Sequence, residues 1–257
     1  MNAIELYKEL PKKNCGECSQ KKCMPFALSL IKGDAELSEC PYMTEDAVTE
    51  LKKKIVHSDW REDLILRLRE EIRNIGFSDV ASHIGAELKG RALSIKCMGR
   101  EFTIDPGGEV TTKGFITPWI KILILHYIKT GGSADLTGKW VSFSELKSGM
   151  VKASSFTREC EEPLREMLDK DFQKVTQLLS RFGGESRYDF PTEHAWHFLL
   201  LPKMPVVILY WPADIEFGSK VKVLFDSTAD KFLDVESIIF LVEGLVYNIE
   251  AALSRSA

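Results

Sequence analysis

No G-x-x-x-x-G-K-[ST] phosphate loop, G-x-G-x-x-G dinucleotide fingerprint or G-x-S-x-G nucleophile elbow occurs in the 257 residues. The common nucleotide-dependent and hydrolase mechanisms therefore lack support. Surplus positive charge is also missing. Lys and Arg total 34 against 38 Asp and Glu, a formal net charge of -4, whereas a phosphate-binding surface needs clustered excess cations. Nucleic acid is not an expected partner. The two most apolar segments are interrupted, one by Lys121 and His126 and the other by Glu243 and Asn248. Neither supplies the roughly 20 apolar residues of a membrane span, and none is expected. The opening Met1-Asn2-Ala3-Ile4-Glu5-Leu6 carries an acid where a secretory leader would be basic, so no signal peptide and a cytoplasmic location are expected. There is no internal repeat or low-complexity tract.

What is there is an ordinary globular composition, 44% hydrophobic and 28% charged, enough to bury a substantial core. Cysteine is distributed unevenly. Of six, Cys15, Cys18, Cys23 and Cys40 fall close together, leaving Cys97 and Cys160 for the rest of the chain. In a reducing compartment such a cluster reads as a metal site before it reads as disulfides.

Residues 2–10 have helical spacing at Ile4, Leu6 and Leu10, stopped by Pro11. Phe26, Ala27, Leu30 and Ile31 predict a second helix leading from Cys23, with Gly33 as its cap. Thr44, Glu45 and Asp46 suit a third helix start running to about Val56. These elements make a module of residues 1–56. Residues 57–257 then read as a larger domain. A charged helix is expected over 60–74. Strands at 91–96 and 101–104 flank Met98-Gly99-Arg100 as a hairpin. An apolar helix at 119–129 is closed by Gly131-Gly132, and one or two helices fill 155–181. Segments 196–201, 206–211 and 221–225 predict a three-strand antiparallel meander, before a last helix at 235–253. Strands and helices in separate runs give an α+β class: a small helical module followed by a domain of antiparallel strands and helices.

The chemistry concentrates in Cys15-Gly16-Glu17-Cys18-Ser19-Gln20-Lys21-Lys22-Cys23 and Cys40-Pro41, a C-x2-C-x4-C-x16-C pattern. A cubane needs one thiolate on each of four irons, which three ligands in a tight loop and a distant fourth can supply. Gly16 lets the backbone approach the inorganic core, and proline after the last cysteine recurs in iron-sulfur ligand runs. A structural zinc site also takes four thiolates, but usually from two C-x2-C knuckles, and Cys23 and Cys40 each stand alone. The spacing favours [4Fe-4S]; zinc and unligated cysteines remain the alternatives.

The run Asn14-Cys15-Gly16 through Cys23, with Phe26-Ala27, Leu30, Gly33 and Cys40-Pro41, resembles the four-cysteine [4Fe-4S] domain at the N-terminus of the corrinoid iron-sulfur protein large subunit. The resemblance implies that Cys15, Cys18, Cys23 and Cys40 each ligate one iron. Ser19 departs from it, since a glycine commonly follows the second cysteine there. The rest of the chain has neither the length for a barrel plus a cobalamin domain nor a D-x-H-x-x-G signature, so bound corrinoid is not expected. Residues from about 60 to 257 instead resemble an uncharacterised domain family of anaerobic bacteria and archaea. The likeness rests on Trp119 to Tyr127, Gly138-Lys139-Trp140-Val141-Ser142-Phe143, Gly183-Gly184 and Val223 to Ala229. That family carries no activity to transfer.

Lys12, Lys13, Lys21 and Lys22 flank the ligand loop, where Glu17 is the sole acid between residues 11 and 24. They read as a solvated loop or as cations that offset the cluster and attract an acidic redox partner. Four thiolates and a 2+ core would move the formal charge from -4 to about -6. His194 and His197 form H-x-x-H, but on a strand that separation sends the rings to opposite faces, so structural roles are expected. His126 is expected as a core histidine, Cys97 and Cys160 as buried bystanders, and Asp226-Ser227-Thr228 as a turn and helix cap. The leading expectation is a [4Fe-4S] one-electron carrier or redox accessory protein with a protein redox partner, a role that requires no side-chain acid-base chemistry; catalytic residues are not assigned. Reductive activation of a methyl-transfer protein is one use that the corrinoid resemblance implies. A redox enzyme with its substrate near His126 or Asp226, and a binding module with a structural cluster, are the alternatives.

Overall fold

The computed structural model describes residues 3–32, 34–54 and 60–255. The expected Gly33 cap, the helix end near Val56 and the module boundary at 56–57 lie outside the described residues. The fold is α+β and divides into two compact units, Met1–Leu66 and Arg67–Ala257.

The first unit is helical. Helix α1 (Ala3–Glu9) buries Leu6 and ends before Pro11, which lacks the N–H that another turn would need. Helix α2 (Cys23–Lys32) begins at the third motif cysteine and buries Phe26, Ala27 and Leu30 along one stripe. A single 3-10 turn, Leu37–Glu39, precedes Cys40 and is closed by a reciprocal Glu36–Glu39 capping box. Helix α3 (Glu45–Lys54) starts as expected, with the Ala47 N–H donating to Thr44 Oγ1 at 3.3 Å. Leu6, Leu10, Cys23, Phe26, Leu30 and Leu37 form the core, with Cys18, Cys40 and Met43 packed on it. The hydrophobic core thus reaches the underside of the cysteine loop. The unit division falls within helix α4 (Trp60–Ile72).

The second unit holds two antiparallel sheets. Helix α5 (Phe77–His83), which the sequence reading passed over, precedes a four-stranded sheet in the order β1 (Glu87–Lys89), β2 (Ala92–Cys97), β3 (Arg100–Ile104), β4 (Val110–Thr112). The expected hairpin is its centre. Met98 and Gly99 make the two-residue turn, both left-handed at φ 48° and 75°, as a hairpin that follows the strand twist requires. Helix α6 (Pro118–Thr130) opens with Thr117 capping the Ile120 N–H at 3.3 Å and closes on left-handed Gly131. Its Tyr127 is fully buried; the hydroxyl donates to the Ile84 carbonyl at 2.7 Å and accepts from the Lys203 N–H at 3.0 Å.

The second sheet runs β5–β9–β8–β7–β6. The expected meander supplies its three long strands, β7 (His194–Leu201), β8 (Met204–Trp211) and β9 (Lys220–Asp226). The edges β5 (Trp140–Ser142) and β6 (Glu185–Arg187) were not expected. Central β8 is buried from Met204 through Tyr210, the pattern of a strand covered on both faces. Helices α7 (Gly149–Phe156), α8 (Glu162–Lys170) and α9 (Phe172–Arg181) occupy the segment expected to hold one or two helices, with a π turn at Thr157–Glu161 joining the first two. Buried Glu161 closes that turn, accepting from Thr157 Oγ1 at 2.9 Å and the Val223 N–H at 3.2 Å and pairing with Lys222 at 3.0 Å. Helix α10 (Val235–Arg255) is long and apolar enough to cross a membrane by length and composition. Its Ile238, Leu241, Val242, Leu245 and Ile249 are nevertheless buried in the protein, as in the core helix of a globular domain.

Candidate metal centre

The loop between α1 and α2 is shaped by backbone conformations that few side chains adopt. Lys12, Asn14, Gly16 and Lys21 all lie at positive φ, between 48° and 81°. Asn and Gly tolerate this region, whereas lysine is strained in it. The reversals curl residues 11–22 so that Cys15, Cys18 and Cys23 line one shallow depression with Cys40 and Pro41 from the 3-10 turn. Cys15 is exposed, Cys18 and Cys40 are half-buried and Cys23 is buried. Thiol access is thus graded from the solvent side to the core side. Among the described residues, no three Cys, His, Asp or Glu side chains converge closely enough to hold a single ion.

Side-chain hydrogen bonds fix the loop within itself and to the Cys40 arm. Asn14 Oδ1 accepts from the Cys23 N–H at 2.9 Å, satisfying a donor at the start of α2 that no helical carbonyl reaches. The Asn14 N–H in turn points at Cys23 Sγ, 3.4 Å away. Glu17 accepts from the Tyr42 hydroxyl at 2.8 Å, joining the residue before Cys18 to the segment after Cys40. Ser19, together with the Glu36 N–H that donates to Glu39 Oε1 at 2.8 Å, holds the Glu39 carboxyl below its usual range. Glu39 directly precedes Cys40 and Ser19 directly follows Cys18, so the pair stands beside two of the cysteine positions. The sequence reading noted Ser19 only as a departure and missed Glu39 and Tyr42. An acid placed immediately before the fourth cysteine was the available signal.

The donor set fits an iron-sulfur centre. Four sulfurs spread around a depression suit a polynuclear core, in which each metal takes one protein thiolate. A lone zinc would draw all four to about 2.3 Å from one point.

Comparison with known proteins bears on both parts of the chain. Residues 76–248, more than half of the chain, match the family model described as domain of unknown function (DUF3786). The chain belongs to the DUF3786 family. Ahead of that DUF3786 domain, residues 10–42 match the model described as "Putative Fe-S cluster". The corrinoid/iron-sulfur protein large subunit of Moorella thermoacetica is 49% identical over 47 residues, 18% of this chain and 10% of that protein. The acetyl-CoA decarbonylase/synthase complex subunit gamma of Methanocaldococcus jannaschii is 38% identical over 56 residues, 22% of this chain and 12% of that protein. Subunit gamma 1 of Methanosarcina thermophila is 36% identical over 86 residues, 33% of this chain and 17% of that protein. The chain therefore spans less than a fifth of the length of these relatives. No solved structure matches it.

The other candidates lie in the DUF3786 domain and assemble no second centre. His194 packs against Phe172, with ring centroids 4.7 Å apart, whereas His197 packs on Trp140 at 5.9 Å. The strand does separate the two rings. His126 is half-buried on α6 and burial lowers its pKa, favouring the neutral ring. Burial pushes the Cys97 thiol up to about 12 and raises that of Cys160 strongly; neither is the thiolate that ligation or attack needs. Asp226 is 1% exposed. It accepts from the Gly138 N–H at 2.7 Å, Thr228 Oγ1 at 2.7 Å, the Thr228 N–H at 3.0 Å and Thr137 Oγ1 at 3.1 Å. Burial opposes its charge, but these donors together hold the carboxyl below its usual range. Asp226 is a structural tie, buried from solvent and already bonded through both carboxylate oxygens.

Proposed function

We propose that Cys15, Cys18, Cys23 and Cys40 each hold one iron of a [4Fe-4S] centre and that the protein exchanges single electrons with a protein partner. The observation that carries this reading is the gathering of all four thiols on one depression whose arms are bridged by Glu17–Tyr42. A bound [4Fe-4S] centre supplies a one-electron couple, its core passing between the 2+ and 1+ states, with no bond to protein made or broken. The chain's own residues hold the ligands and set that couple. Donation from the Asn14 N–H to Cys23 Sγ withdraws charge from the sulfur and favours the reduced state. Solvent reaches the Cys15 side of the loop, where a partner can approach. No side-chain acid or base is required. The likeness to corrinoid/iron-sulfur and decarbonylase/synthase subunits supports a place beside methyl-transfer systems of anaerobes and a partner within a larger assembly.

Anaerobic reconstitution followed by EPR during reductive titration tests this. The expected result is an oxidised form without a signal and a paramagnetic species appearing with one electron per chain. A centre that remains silent at the lowest accessible potential would leave only a structural role for the metal and defeat the electron-transfer reading.

A further inference from the structure

We propose that the lysine-bearing ligand loop is the docking surface for an acidic face on the electron-exchanging partner, a proposal that rests on the redox reading above. Lys12, Lys13, Lys21 and Lys22 are all exposed, and the last two line the depression itself. Among the described residues, none of the four has a carboxylate within ion-pair distance, so their charge is not neutralised by a neighbouring acid. The acids that stand nearest in the motif are already committed: Glu17 accepts from the Tyr42 hydroxyl, and Glu39 from the Glu36 N–H at 2.8 Å. Their hydrogen bonds turn both carboxylates to work within the loop.

Two further observations favour retained charge over an incidental solvated loop. Lys13 Nζ sits 3.8 Å from the centre of the Tyr42 ring, and Lys12 Nζ 6.0 Å from that of Tyr7, so these ammonium groups have defined places at the surface. Lys12 and Lys21 occupy left-handed backbone at φ 57° and 56°, a conformation that glycine or asparagine adopts with less strain. From residue 11 to 24 four lysines stand against Glu17 alone, an excess of +3 that stays about +1 with the 2- of an oxidised centre counted, whereas the whole chain goes from -4 to about -6, so an acidic protein is repelled by the molecule at large and attracted at this loop. That contrast orients an encounter so that the cysteine side faces the partner.

The test uses the whole 257-residue chain after anaerobic reconstitution, with iron content measured in every sample. A short poly-glutamate peptide is offered as the acidic probe and joined by zero-length carbodiimide coupling, and the modified lysines are located by mass spectrometry. Coupling is expected mainly at Lys12, Lys13, Lys21 and Lys22. It should fall about tenfold at high salt, or when the four are reversed together as K12E/K13E/K21E/K22E. Reversal elsewhere, as K113E/K147E/K170E, should leave it unchanged. Coupling spread over lysines throughout an iron-loaded chain, or undiminished in the loop variant, would overturn the docking surface and leave the redox reading standing. A chain that takes up no iron would overturn both.

Discussion

Asn14 accepts a hydrogen bond from the Cys23 backbone and aims its own N–H at the same residue's sulfur, while holding a left-handed φ of 48°. Replacing it with alanine removes the acceptor and retains the backbone demand. Asn14→Ala is therefore expected to destabilise the loop by about 1 kcal/mol and to speed iron loss to a chelator several-fold; an unchanged release rate would show that the contact is idle. Asp226 gives a larger effect by another route. Asp226→Ala leaves the Gly138 N–H and the Thr228 donors without their acceptor in a buried turn, and a loss of about 2–4 kcal/mol in denaturant unfolding is expected. The pH dependence has a definite sign. Because the folded carboxyl lies below its unfolded value of about 3.9, its contribution is complete above that value and disappears as pH falls through the folded one. The wild-type protein should lose stability in acid more steeply than Asp226→Ala. At this scale the cysteines are legible because ligand spacing is local in sequence. The Glu17–Tyr42 bridge and the donors that Thr137, Gly138 and Thr228 gather on Asp226 are not, because each depends on segments that meet only when folded.

Elements show the same division between local and distant causes. The Met98-Gly99 hairpin, the Thr117 and Gly131 limits of α6 and the β7–β8–β9 meander are readable because turn chemistry and alternation lie within a few residues. The edges β5 and β6 are three residues each, too short for an alternating pattern, and β5 exists because Trp140–Ser142 pairs with Leu224–Asp226 far along the chain. The sequence reading began the α7 region at residue 155; the helix in fact starts at Gly149, after a 3-10 turn at Phe143–Glu145. Gly149 is what allows that start. A Cβ there would lie 1.9 Å from the Phe143 carbonyl oxygen, a backbone atom that cannot swing aside. Gly149→Ala is accordingly expected to displace the start of α7, disturb the stacked Phe143–Phe156 pair and lower the thermal midpoint by several degrees or more. A wild-type melting curve would contradict the stated packing.

For the whole molecule, the uneven cysteine count separates a cysteine-lined loop on a small helical unit from an α+β unit whose two cysteines are buried, protonated thiols. The DUF3786 domain adds sheets, a buried helix and, among the described residues, a satisfied polar network, and the four clustered cysteines precede it in the chain. The decisive measurement is iron and acid-labile sulfide per chain after anaerobic reconstitution, made on the wild type and on Cys15→Ala, Cys18→Ala, Cys23→Ala and Cys40→Ala. About four irons and four sulfides per wild-type chain, with a clear loss in each variant and none in Cys160→Ala, is the predicted result. One zinc per chain without sulfide, or full iron retained when any of the four is removed, would contradict it.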